Sequence, residues 1–192
     1  LLSQQMLLAN GYVSYMDGWS NCFGNSRYFD VAEKLDAEGK LHILLGMSYE
    51  FDSSCEDVDA ELEKAFECGK YTKGHINANY VKLFIDGTVE GGTGLTIEPY
   101  PDRHPGIANW EEDEVTDITG KANAQGFTMH IHTMGDAAVH RAVNAFVAKG
   151  TKEARNTLVH VRNMPEEDFG RVADNGIVVV SGMLWHVLTD EM

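Results

Sequence analysis

Gly126–Asp136 reads GFTMHIHTMGD, and the fold turns on how that stretch is read. A glycine starts it, apolar and polar residues alternate through it, and a Gly-Asp step leads into a helix-compatible run. Taken as a strand over Phe127–His132, its period of two puts Thr128, His130 and His132 on one face. Phe127, Met129 and Ile131 go to the other. Two imidazoles facing the same way near the carboxyl end of a strand suit the inner wall of a barrel better than an apolar core. The competing reading is a pair of buried histidines bonded to neighbours, and an H-x-H by itself does not separate the two.

The chain around it alternates. Leu1–Asn10 is helix-compatible and closed by Gly11, Tyr12–Met16 is a short β-prone run, and Ser26–Gly39 reads as a helix through Phe29, Ala32 and Leu35. Leu41–Met47 is a nearly continuous apolar strand. Ser53 and Ser54 can cap the next helix, with Val58, Leu62 and Phe66 as its inward stripe, and Ala78–Ile85 is strand again. From 86 to 109 periodicity vanishes, and the segment holds three of the four prolines. Loops of that length inside compact domains tend to carry function or form lids. Glu111–Ala124 follows as a helix with Asn109 as its cap. After the central strand, Asp136–Lys149 is a helix facing inward through Ala138, Ala142, Ala145 and Phe146. Asn156–Val161 is strand, Pro165 opens a helix at its first position, and Ile177–Val180 is the last clear strand. About six strands alternating with helices, most apolar on both faces, imply a parallel sheet covered by helices. A doubly wound sheet and a (β/α)8 barrel both fit that pattern. No linker divides the chain, so residues 1–192 read as one domain, and no glycine-rich nucleotide signature occurs.

The formal net charge is −15, with 30 acidic against 15 basic residues, which argues against nucleic-acid and anionic-membrane partners. Cys22, Cys55 and Cys68 form neither a disulfide framework nor a zinc-ribbon spacing, as expected of reduced thiols in a cytoplasmic protein. No apolar run reaches the length of a membrane span and no signal-peptide pattern opens the chain. A start at Leu1 and an end at Met192, shortly after a strand-like run, lead us to expect an excerpt from something longer.

Three strands carry an ionisable residue at or near their carboxyl ends: Lys82 in YVKLF, His132 in MHIH and His160 in TLVHV. Active sites of parallel α/β folds sit at that end. A lysine inside a buried strand is costly unless its charge is paired, removed or chemically altered. Its other reading is a side chain reaching past the strand end to solvent or to a carboxylate such as Asp86. Asp136 is expected to cap the helix it opens, and could also orient His132 from outside the ligand set, as could His130. His104 in the long loop, with Trp185 and His186 after the last strand, are candidates for touching substrate. His140 reads as a surface residue.

VKLFIDGTVEGGTG followed by EPY, then MHIHTMGDAAVHRAV, then LVHV, resembles the metal-dependent amidohydrolase superfamily. The branch it is most similar to contains N-substituted formamide deformylases and exoenzyme regulatory proteins. The resemblance covers most of the chain and implies a (β/α)8 TIM barrel with one or two divalent metals, usually zinc, at the carboxyl end of the strands. It implies that Lys82 is the strand-4 lysine, carboxylated in many members and bridging two metals, and that His132 and His160 are the strand-5 and strand-6 ligands. The chemistry implied is hydrolysis of a carbon–nitrogen bond in a small amide or formamide through metal-activated water.

The departures shape the expectation. No strand-1 H-x-H pair lies upstream of Lys82, and the strand-8 aspartate would fall beyond Met192, with Asp190 too near Ile177–Val180 to replace it. The chain therefore reads as an incomplete barrel, about strands 2 to 7, of a fold that typically takes ~250 residues. Alone it is expected to lack full ligation and to be inactive. A non-catalytic relative with a regulatory or binding role, and a metal hydrolase of lactones or phosphoesters, are the alternatives; homo-oligomer formation is left open.

Overall fold

The computed structural model describes residues 2–21 and 26–183. The chain divides into two compact units, 1–82 and 83–192. The first holds α1 (Leu2–Ala9), β1 (Ser14–Asp17), α2 (Arg27–Ala37), β2 (Leu44–Glu50), α3 (Val58–Cys68) and most of β3 (Ile76–Phe84). β1 pairs in parallel with β2 from Ser14 opposite Leu44, and β2 with β3 from Leu45 opposite Ile76 to Glu50 opposite Lys82. Strand order follows chain order. The core here is Phe29, Ala32, Leu41, Ile43, Met47, Cys68, Ile76 and Ala78, closed by Leu35, Leu45, Tyr49 and Tyr71. Phe29 and Tyr71 stack with ring centroids 5.4 Å apart.

Two local expectations shift. β2 starts three residues later than the apolar run Leu41–Met47, because Leu41 and Ile43 are buried in the approach to the strand rather than in its ladder. The cap of α3 is Asp57, whose side chain accepts the Ala60 N–H at 3.0 Å, and neither Ser53 nor Ser54. Ser54 is already bonded, through N–H and hydroxyl, to the Asp52 carboxylate. The buried stripe of α3 is Glu61, Leu62, Ala65 and Cys68, with Val58 and Phe66 half-buried. Glu61 is tolerated there because Tyr49 Oη (2.9 Å) and Lys64 Nζ (2.7 Å) donate to its carboxylate.

The second unit holds the end of β3, then α4 (Glu112–Ala124), β4 (Thr128–Thr133), α5 (Asp136–Lys149), β5 (Thr157–His160), α6 (Glu166–Asp174) and β6 (Val178–Val180). β4 pairs in parallel with β5, from His130 opposite Thr157 to Thr133 opposite His160, and β5 pairs in parallel with β6. Met129 and Ile131 are fully buried, as the period of two requires, each contributing on the order of 2 kcal/mol. Asn123 and Asn156 exchange side-chain hydrogen bonds at 2.9 and 2.8 Å, and Asn156 Oδ1 also accepts the Met129 N–H, which fixes the starts of β4 and β5 together.

Glu111, not Asn109, caps α4, in a reciprocal box with Glu114. Asn109 instead bonds back to β3, its N–H to Ile85 O and its Nδ2 to Phe84 O. Pro165 stands at the cap position of α6, one residue before the expected first turn. The segment 86–109 contains neither helix nor strand. Among the described residues no helix is long and apolar enough to cross a membrane.

Candidate functional site

In the second unit, His132 is the penultimate residue of β4 and His160 the last of β5, on hydrogen-bonded neighbouring strands. Their rings approach edge to face, centroids 4.6 Å apart at 67°. Phe84 backs the His132 ring at 5.0 Å. His132 Nε2 lies 2.9 Å from the Gly87 carbonyl, which can only accept, so Nε2 carries the proton. In the neutral ring the lone pair then sits on Nδ1.

His160 is held at φ 78° and Val161 at φ 43°. For a histidine this is uncommon, and for a β-branched valine it is an outlier costing about 1–3 kcal/mol. The turn is secured by Val161 N–H to Thr133 O (2.9 Å) and Asn163 N–H to Met134 O (3.2 Å). Strain stored at a strand end, at the residue carrying an imidazole, is the signature of a side chain being aimed. His160→Gly is therefore expected to leave the unfolding free energy unchanged or raised by up to about 1 kcal/mol. A glycine in an ordinary strand position loses about that much. Urea denaturation reads the difference, and a loss above about 1 kcal/mol would mean that the backbone there is not strained.

Asp86, two residues past the end of β3, is 2% exposed and gathers two loops. Its carboxylate accepts from Leu95 N–H (3.0 Å), Met134 N–H (3.0 Å) and Gly135 N–H (2.8 Å), and Oδ1 lies 3.5 Å from His132 Nε2. Burial pushes its pKa up to about 6 against the pull of the three N–H donors. Gly135 makes this approach feasible: a Cβ there would collide with the carbonyl of Leu95.

In the first unit, Lys82 is 3% exposed near the carboxyl end of β3, opposite Glu50 in register. Desolvation lowers its pKa to about 7, partly offset by Glu50. Glu50 is raised to about 7, mainly by burial. Asn21 clamps the Glu50 backbone from both sides at 2.7 and 2.9 Å, and the Trp19 indole donates to Oε2 at 3.0 Å.

The two histidines thus converge as the sequence suggested. Lys82 is no solvated lysine, and Asp86 has both oxygens engaged by backbone and facing His132. His130 is buried opposite Thr157, about 6.6 Å back along β4 from His132. Asp136 is not the cap of α5; that position is Gly135. The Asp136 carboxylate accepts from Ala137 N–H and from Ile97 N–H, both at 2.9 Å, tying the long loop to the helix. His104 stacks on Tyr100 at 4.9 Å, and its Nδ1 accepts the Gly106 N–H, so it braces the loop's own turn. His140 is half-buried, its Nδ1 2.9 Å from the fully buried Asp168. Trp185, His186 and Asp190 lie outside the described residues. Sequence reasoning passed over Glu50, Asp86 as a hub, and an ion pair between Arg162 and Glu90 (3.0 Å). For Asp86 and Glu50 the available signal was an acid closing an apolar strand.

The profile of the amidohydrolase family matches residues 4–186. The chain belongs to the amidohydrolase family. Among relatives of this amidohydrolase chain is the exoenzymes regulatory protein AepA of Pectobacterium carotovorum subsp. carotovorum, 32% identical over 117 residues, covering 60% of this chain and 25% of that protein. YtcJ of Bacillus subtilis (strain 168) is 27% identical over 151 residues, covering 77% of this chain and 28% of that one. The chain thus spans about a quarter of the length of the curated relatives it matches. A solved structure described as an uncharacterized metal-dependent hydrolase from Pyrococcus furiosus superposes with a TM-score of 0.71 at 23% identity, covering 94% of this chain and 36% of that one. The fold of this amidohydrolase chain is accordingly an incomplete (β/α)8 barrel of amidohydrolase type.

Does the site suit a metal ion? Among the described residues no three His, Cys, Asp or Glu side chains converge as a ligand set. The histidine half fits well. An ion of the zinc class takes about four ligands, with imidazole nitrogens at ~2.0–2.1 Å. A ligating histidine usually donates its other N–H to a carbonyl or carboxylate, as His132 does to Gly87 O.

Proposed function

We propose that the protein to which these residues belong hydrolyses a carbon–nitrogen bond in a small amide or formamide-like substrate. His132, His160 and Lys82 would hold one or two divalent ions, zinc by the chemistry of the donors. The observation that carries this reading is the imidazole pair at adjacent strand ends, with the His132 tautomer set by Gly87 O. When bound, such an ion supplies Lewis acidity, polarising a carbonyl and acidifying water. The chain's own residues do the rest. Gly87 O and Asp86 keep the His132 ring from rotating, and the strained turn at 160–161 aims His160. A lysine whose pKa is lowered to about 7 is partly unprotonated near neutrality, the form that reacts with carbon dioxide to give a carbamate. Carboxylated Lys82 would be an anion and a ligand. Free Cys55 and Cys68 accord with a reducing, cytoplasmic setting.

Zinc content after reconstitution and desalting tests the ligand set. Near-stoichiometric zinc is expected in the parent sequence, with a loss of at least about tenfold in His132→Ala and Lys82→Ala. Unchanged zinc in either variant removes that residue from the ligand set. Turnover across a panel of formamides, lactones and phosphoesters separates the bond classes. Residues 1–192 alone are expected to be inactive, so zinc-dependent turnover by them would refute that part. A regulatory role without catalysis is the second reading, favoured by the name of the Pectobacterium relative.

A further inference from the structure

Glu50 closes β2 at its carboxyl end, on the same face of the strands as Lys82. Packing decides that face. Leu45, Met47 and Tyr49 point into the helix-covered core, so Gly46, Ser48 and Glu50 point the other way. The register agrees: Ser48 stands opposite Tyr80 and Glu50 opposite Lys82, on strands about 4.8 Å apart.

The residue is rigidly mounted. The buried Asn21 side chain accepts the Glu50 N–H at 2.7 Å and donates to the Glu50 carbonyl at 2.9 Å, while Ser20 N–H bonds Ser48 O at 3.0 Å. The Trp19 indole donates to Oε2 at 3.0 Å. Three consecutive residues after β1 thus serve to place one carboxylate. Its other oxygen, Oε1, accepts no hydrogen bond among the described residues, and the side chain is only half-buried. The Asp86 carboxylate, by contrast, has both oxygens engaged by backbone. The charges acting on Glu50 are the anions Asp52 and Glu61 and the cation Lys82. Carboxylation of Lys82 would turn that cation into an anion, leaving an acceptor oxygen on an acidic rim. Such a position repels carboxylates and attracts ammonium groups, which a net charge of −15 also draws in.

We propose that Glu50 binds a cationic group of the substrate through a charge-assisted hydrogen bond to Oε1. With the amide held at Lys82 on the next strand, the substrate class is small amides carrying an amine a few carbons away, monoacylated diamines among them. The inference rests on the hydrolase reading above in calling this ligand a substrate. Calorimetric titration of the full chain with N-acetylbutanediamine and with uncharged N-butylacetamide tests it. The amine is expected to bind about tenfold more tightly or better. Glu50→Gln keeps an oxygen for the Trp19 indole and leaves the Asn21 clamps on the backbone, and it should bring the two within about twofold of each other. Asp52→Asn removes a neighbouring acid whose carboxylate is taken up by Ser54, and it should leave the preference within about twofold of the parent value. Equal affinities, no binding of either probe, a preference that survives in Glu50→Gln, or one lost equally in Asp52→Asn overturns the proposal. Turnover of the same two compounds by the protein to which these residues belong is measured separately. Preference in binding without turnover of either sinks the hydrolase reading alone, and turnover of both with equal affinities sinks the recognition role alone.

Discussion

Lys82→Met is expected to raise the stability of the metal-free protein by about 2–3 kcal/mol while lowering its zinc content. The lysine is 3% exposed within β3, and methionine fills nearly the same volume without a charge to desolvate. The pH dependence sharpens the test. A lysine lowered from 10.5 to about 7 penalises the folded state fully below pH 7, and the penalty fades as pH rises toward 10.5, so its contribution to stability increases over that window. Asp86 and Glu50 work the other way. With pKa values raised from 3.8 to about 6 and from 4.5 to about 7, each leaves the folded state less stable as pH climbs through those intervals. Together they predict a minimum in stability near pH 7 for the metal-free chain. Lys82→Met should remove its alkaline arm. A monotonic profile in the parent protein, or a destabilised Lys82→Met, would show that the amine is better accommodated than its burial suggests.

Asp86→Ala carries the opposite sign and a larger magnitude, a loss of about 3–5 kcal/mol. The carboxylate satisfies three backbone N–H groups, and each buried donor left without an acceptor costs about 1–3 kcal/mol. The amides of Leu95, Met134 and Gly135 should lose their protection from hydrogen exchange together, because one group holds all three. Asp86→Asn should fall between, since its amide retains one oxygen acceptor and presents an NH2 to donors. Protection that persists at any of the three amides in the alanine variant would mean that the two loops are joined by something else.

What the sequence disclosed, and what it hid, follows from the kind of interaction involved. α5 begins and ends where its alanine stripe predicts, because Ala138, Ala142, Ala145 and Phe146 are local statements about one face. The apolar run at Leu41 reveals burial faithfully but not ladder pairing, so the run begins three residues ahead of β2. Capping was ambiguous wherever several competent side chains sat within a few residues. Asp52 captured Ser54, leaving Asp57 to cap α3, and Asn109 was drawn back to β3. His132 and His160 could be found because a polar residue interrupts an apolar strand. Asp86 shows in the sequence as an acid closing an apolar strand, but its role as a hub does not, since its partners are backbone amides as far as 49 positions away and every residue but proline has one. The positive φ at Val161 was equally silent, because nothing in a valine announces it.

Gly135 has a consequence for how such a site can diversify. With the Leu95 carbonyl resting where a side chain would be, the loop is seated on the threshold of α5 by shape as well as by the bonds of the Leu95 and Ile97 amides to Asp86 and Asp136. Remodelling aimed at new specificity must spare that seat. Between the ties made by the Ile97 N–H, by Tyr100 Oη to Gly94 O and by Thr96 N–H to Pro105 O, the mostly exposed crest at residues 97–105 is where insertions and exchanges can accumulate.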